Sequence, residues 1–106
     1  DGLAWLSSGG YGGYGGELTL IDVSDPENLR KYTHEMNWSY PRIIGARETK
    51  AFVNVTGGTA CYDASDPENL RMDSFRSHGG WSDRIRFTDG RAYLPLGYYG
   101  VWGKDL

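Results

Sequence analysis

A nonapeptide occurs twice in this chain, and no other feature constrains the fold as tightly. Asp22-Val23-Ser24-Asp25-Pro26-Glu27-Asn28-Leu29-Arg30 returns as Asp63-Ala64-Ser65-Asp66-Pro67-Glu68-Asn69-Leu70-Arg71, with the seven residues from Ser24 and from Ser65 identical and the two copies 41 positions apart. The flanks keep step. Lys50-Ala51-Phe52-Val53 corresponds to Arg91-Ala92-Tyr93-Leu94, again 41 apart, and Leu3-Ala4-Trp5-Leu6 reads as a third copy. Trp38-Ser39 leads to Arg42-Ile43 much as Trp81-Ser82 leads to Arg84-Ile85. A period of this length is that of a repeating supersecondary unit, because one unit cannot cover its own apolar face and must stack on its neighbours.

Within the middle copy four short runs read as strands, at 42–46, 50–55, 59–64 and 70–76. Each is bounded by Gly, Asp, Asn or Pro and rich in apolar or aromatic residues, and no run carries a 3.6-residue apolar stripe long enough for a helix. Sixteen glycines and fifteen aromatics among 106 residues agree with an all-β, turn-rich chain. The Ser-Asp-Pro-Glu-Asn segments are turns by mechanism. Pro26 and Pro67 preset φ for the second position of a type I turn, and Asp25 and Asp66 accept forward bonds from backbone N–H groups. Asp89-Gly90 marks a tight hairpin, and Asp1-Gly2 stands in the same place ahead of Leu3.

Units of four strands and about 40 to 45 residues have the period of β-propeller blades. The text of the unit, an apolar pair followed by Asp-Val-Ser-Asp-Pro-x-Asn at Asp22 to Asn28, resembles the LVIVD-type repeats of secreted and cell-surface β-propellers. The resemblance covers nearly the whole chain. It departs from the pattern where a Pro usually follows the Asn, since Leu29 and Leu70 stand there. The resemblance implies an extracellular or periplasmic location.

Strands in order then read two-three-four, one-two-three-four, one-two-three. This divides the chain into 1–37, a blade lacking its innermost strand; 38–77, a complete blade; and 78–106, a blade lacking its outermost strand. A closed ring of even four such units takes about 164 residues, so the chain reads as a piece of an incomplete ring. The expected partners are the remaining blades, from the same polypeptide or another chain. Alone, its uncovered faces and edges predict an unstable or associating molecule. The start at Asp1 instead of Met reads as a processed or cut N-terminus, and no signal peptide is recognisable.

Alternation sorts the connections. The Ser-Asp-Pro-Glu-Asn and Asp-Gly turns fall on one face of the disc, and the loops at 9–16, 37–41, 56–58, 78–83 and 97–100 fall on the other. That second face collects Tyr11, Tyr14, Trp38, Trp81, Tyr98 and Tyr99, with Arg42 and Arg84 at the starts of the innermost strands. Loops on a rigid scaffold are the usual seat of function. Two Arg side chains ringed by aromatics suit an anionic small molecule, such as a carboxylate, phosphate or acidic sugar, or a protein partner. Against this, Trp38 and Trp81 at equivalent positions also suit packing between blades.

Other chemistry is thin. Gly10-Tyr11-Gly12-Gly13-Tyr14-Gly15 spells G-x-G-x-x-G, but a strand follows it where a dinucleotide site needs a helix. No metal site is expected: His34-Glu35 lacks a second His, Cys61 stands alone as a small core residue, and Asp22, Asp25 and Glu27 lack calcium-loop spacing. No catalytic residues are assigned, because Ser39 or Ser82 with His78 and Asp83 comes without a nucleophile elbow. No cofactor is expected. A net charge of -3 disfavours a nucleic-acid surface, and no apolar run reaches the roughly 18 residues of a membrane span. The leading expectation is a non-catalytic ligand- or protein-binding segment of a larger propeller. The alternatives are part of a propeller enzyme with a composite active site, or a subunit of an extracellular assembly.

Overall fold

A computed structural model describes residues 2–9, 16–36, 41–78, 84–97 and 100–106. They form β1 (Leu3–Gly9), β2 (Gly16–Asp22), β3 (Arg30–Met36), β4 (Arg42–Arg47), β5 (Lys50–Val55), β6 (Gly58–Asp63), β7 (Arg71–Ser77), β8 (Arg86–Thr88), β9 (Arg91–Pro95) and β10 (Val101–Asp105). The strands pair as three antiparallel sheets, β1-β2-β3, β4-β5-β6-β7 and β8-β9-β10. No α-helix occurs among the described residues. The all-β expectation holds, with strands of the middle sheet within a residue or two of those read from the sequence. One boundary differs: β8 begins at Arg86, so Arg84 precedes the first strand of its sheet instead of opening it.

Local chemistry explains the connections. In the first nonapeptide Asp22 Oδ1 accepts from Ser24 N at 3.0 Å and from Ser24 Oγ at 2.6 Å, while Asp25 Oδ1 accepts from Glu27 N at 3.1 Å. Asn28 N closes the turn onto Asp25 O at 3.0 Å. The second copy repeats every one of these bonds, from Ser65 and Glu68 to Asp63 and Asp66 and from Asn69 N to Asp66 O. The turn is therefore held by its own side chains. Asp89 and Gly90 both have positive φ, 37° and 78°, as a type I′ hairpin requires.

The sheets stack face to face in chain order, with the four-stranded sheet in the middle. One face of that sheet, Ala51, Val53, Val55, Ala60 and Tyr62, packs with Leu18 and the half-buried Trp5 and Met36 of the first sheet. Its other face, Phe52 and Cys61, packs with Ala92, Leu94, Leu96 and Trp102 of the third. Being covered on both sides, β5 and β6 carry no solvent face, which is why Ala51-Phe52-Val53-Asn54-Val55 reads as an almost unbroken apolar run.

Two bulges adjust these contacts. One, between Ile43 and Gly45, bends β4 where Gly45 meets the third sheet: a Cβ on Gly45 would lie 2.6 Å from Ile85 Cγ2. The other, opposite Cys61 and Tyr62, falls at Asp73 of β7. Asp73 bridges two sheets, its Oδ2 lying 3.1 Å from Lys50 Nζ and 3.1 Å from Lys104 Nζ. The bond from Lys50, then that from Lys104, holds the Asp73 carboxyl below its ordinary range.

Asp63 is held below that range too, first by the Ser65 hydroxyl and also by the Ser65 amide and Arg71. A carboxyl with a folded value below its unfolded one stabilises above the unfolded value, and that contribution disappears as pH falls through the folded value. Stability is therefore expected to drop as pH goes below about 4. Asp63→Asn, which keeps an acceptor but cannot titrate, should reduce that acid sensitivity when urea midpoints at neutral and acid pH are compared.

Candidate functional site

The first three residues of the third sheet's approach, Arg84, Ile85 and Arg86, lie along the edge of that sheet beside β4. Alternation turns Ile85 toward the bulge at Gly45 and leaves Arg84 and Arg86 exposed. Arg86 pairs across the hairpin with Tyr93. These residues, with Ile44 and Pro95, line an open groove of about 550 Å³. Its lining combines aliphatic side chains with two guanidinium groups and a phenol, and no carboxylate of the described residues pairs with Arg86. Forked donors beside aliphatic side chains can grip a carboxylate or phosphate and cover the body attached to it.

Arg91 extends the positive surface beside the groove. Its guanidinium lies 5.5 Å from the Tyr93 ring centre, and its Nε is 3.1 Å from Asp105 Oδ1. The ring is thus held by a stacked cation and by its place in the ladder.

Of the residues anticipated for a binding face, the structure brings Arg84 into the groove. Arg42 is exposed as the first residue of β4, opposite Asn54, and does not line it. Trp38, Trp81, Tyr11, Tyr14, Tyr98 and Tyr99 lie outside the described residues. Arg86, Tyr93, Ile44 and Pro95 were missed. A usable signal existed for two of them: counting outward from Asp89-Gly90 pairs Thr88 with Arg91, Phe87 with Ala92 and Arg86 with Tyr93.

Two histidines and a threonine tie strands and turns together. His34 Nε2 donates to the Pro67 carbonyl at 2.8 Å, tying β3 to the second Ser-Asp-Pro-Glu-Asn turn. The Thr59 hydroxyl donates to Asn54 Oδ1 at 2.8 Å, so His78 Nε2, 2.7 Å away, must donate to that hydroxyl. A histidine in this sense does not deprotonate the hydroxyl. Burial pushes the Cys61 thiol up to about 11, far from a nucleophile's range. No cluster of three metal-ligating side chains occurs among the described residues, nor any helix long and apolar enough to cross a membrane.

No protein family, curated protein or solved structure matches the chain.

Proposed function

We propose that this chain is a non-catalytic binding segment of a β-propeller, and that it takes an anionic ligand in the groove between Arg84, Arg86 and Tyr93. The observation that carries the proposal is that two arginines, a tyrosine and three aliphatic residues line one groove. An anion held there gains charge-assisted bonds from guanidinium groups that match its geometry.

The propeller reading draws support from the stacking of three antiparallel sheets of three, four and three strands, the order expected of blades at 1–37, 38–77 and 78–106. The Asp-Val-Ser-Asp-Pro turns and their likeness to LVIVD-type repeats support it further. On this reading β4 and β8 are innermost strands, the groove opens beside the central channel, and Arg42 faces the same channel from the neighbouring blade. The remaining blades, from the same polypeptide or another chain, complete the ring, and the location is extracellular or periplasmic.

The test is a titration at low salt with inorganic phosphate and with benzoate, a carboxylate on a flat apolar body, followed by NMR shifts of the groove residues. Both probes should move Ile85, Arg86 and Tyr93, and benzoate should bind more tightly because it also covers Ile44 and Pro95. The double variant Arg84→Ala/Arg86→Ala should weaken binding at least tenfold, about 1.4 kcal/mol. Equal binding by the variant, or shifts confined to other residues, would remove the site from the groove.

A further inference from the structure

We infer that the two outer sheets dock on one another between copies of this chain, the third sheet of one copy covering the first sheet of the next. The grounds lie in how the sheets already cover each other. In the middle sheet the paired positions Ala51–Tyr62 and Val53–Ala60 face the preceding sheet, and all four residues are buried. The same pairing positions in the third sheet are Ala92–Lys104 and Leu94–Trp102, which face the middle sheet; Ala92, Leu94 and Trp102 are buried, and Lys104 reaches Asp73. In the first sheet they are Ala4–Ile21 and Leu6–Thr19. There, among the described residues, no further sheet lies over the face: Ala4, Thr19 and Ile21 are half-buried, and Leu6 is 51% exposed where Val53 and Leu94 are 0%.

The opposite faces give the complement. Phe52–Cys61 and Asn54–Thr59 of the middle sheet are buried on the side of the third sheet. Their counterparts in the third sheet, Tyr93–Gly103 and Pro95–Val101, lie on its outer side, with Val101 65% exposed. The three sheets thus present one face built to receive a sheet and another built to be received.

Charge selects a second copy as the occupant. The outer side of the third sheet carries Arg86 and Arg91, with Asp105 held on Arg91. The outer side of the first carries Glu17 and Glu35, with Lys31. Each face repels its own kind and attracts the other, which favours a head-to-tail contact over a symmetric one. The docking face shares Arg86, Tyr93 and Pro95 with the groove, whereas Leu6 and Val101 lie outside it, so substitutions at those two positions probe the contact without removing a groove residue.

The test uses two variants of the full chain, Leu6→Arg and Val101→Glu, each placing on one face a charge that the opposing face repels. In sedimentation at low salt the unmodified chain should exceed the monomer mass from micromolar to hundreds of micromolar concentration, and added salt should reverse this. Each variant alone should remain monomeric. Their equimolar mixture should form a one-to-one complex, because one variant keeps the third-sheet face and the other keeps the first-sheet face. A monomeric unmodified chain, single variants that still associate, or a mixture that stays monomeric would overturn the inference; phosphate and benzoate titrations of the monomeric Leu6→Arg variant, whose groove is unaltered and uncovered, test the groove separately. Circular dichroism shows whether both variants are folded. Should either not be, hydrogen exchange on the unmodified chain decides: concentration should slow exchange in β1, β2, β9 and β10 while leaving β5 and β6 unchanged, and uniform behaviour would overturn it.

Discussion

Replacing Gly58 by alanine is expected to destabilise the chain by about 3 kcal/mol, the upper end for forcing atoms into a packed site. Gly58 opens β6, and its Cα faces the neighbouring strand so closely that a Cβ would sit on the carbonyl oxygen of Arg76. The same Cβ would lie 2.9 Å from Phe75 Cζ and 3.0 Å from the Arg76 carbonyl carbon. Phe75 can swing away, being 45% exposed, but the Arg76 backbone cannot. It is fixed by the ladder between Thr59 and Arg76, and His78 N holds the strand end to Gly57 O at 3.1 Å. The cost therefore falls on the pairing of β6 with β7. Urea unfolding checks it: a midpoint within error of the unmodified chain would show that β7 can move aside.

Phe52→Ala is expected to cost about 3–5 kcal/mol, the range for emptying a buried aromatic site. Phe52 is 0% exposed and joins the middle sheet to the third. Its ring meets Trp102 edge-on, with centres 5.7 Å apart, and Phe87 at a tilt, with centres 6.3 Å apart. Arg47 in turn lies over the Phe87 ring at 5.3 Å, so the cavity would loosen a cation as well as two rings. Phe52→Leu should recover more than half of the loss by refilling the space. Tyr93→Ala, at the matching position of the third sheet, should cost far less in a dilute monomer because Tyr93 is 37% exposed. Equal losses at the two positions would mean that the sheets do not stack as described.

What the sequence made legible follows from how local each determinant is. The two Ser-Asp-Pro-Glu-Asn turns and the Asp89-Gly90 hairpin are decided by residues within a few positions of one another, and both formed as expected. The turn between β4 and β5 carries no such mark: Glu48 adopts φ 57° with no glycine to announce it. Both bulges were invisible, because an extra residue in a strand is set by what the neighbouring sheet demands at Ile44 and Asp73. The Lys50–Asp73–Lys104 bridge was hidden for the same reason, as its members come from three strands in two sheets. In the candidate site Arg84 was readable from the repeat, whereas Arg86 and Tyr93 required the hairpin register to be counted through.

The sealed position of Cys61 gives the molecule a clock of its own. Its sulfur is walled in by two sheets and its proton is held tightly, so a thiol-directed reagent dissolved in the surrounding water finds nothing to attack while the layers stay closed. Each chemical event at that sulfur records one moment when the second and third layers parted.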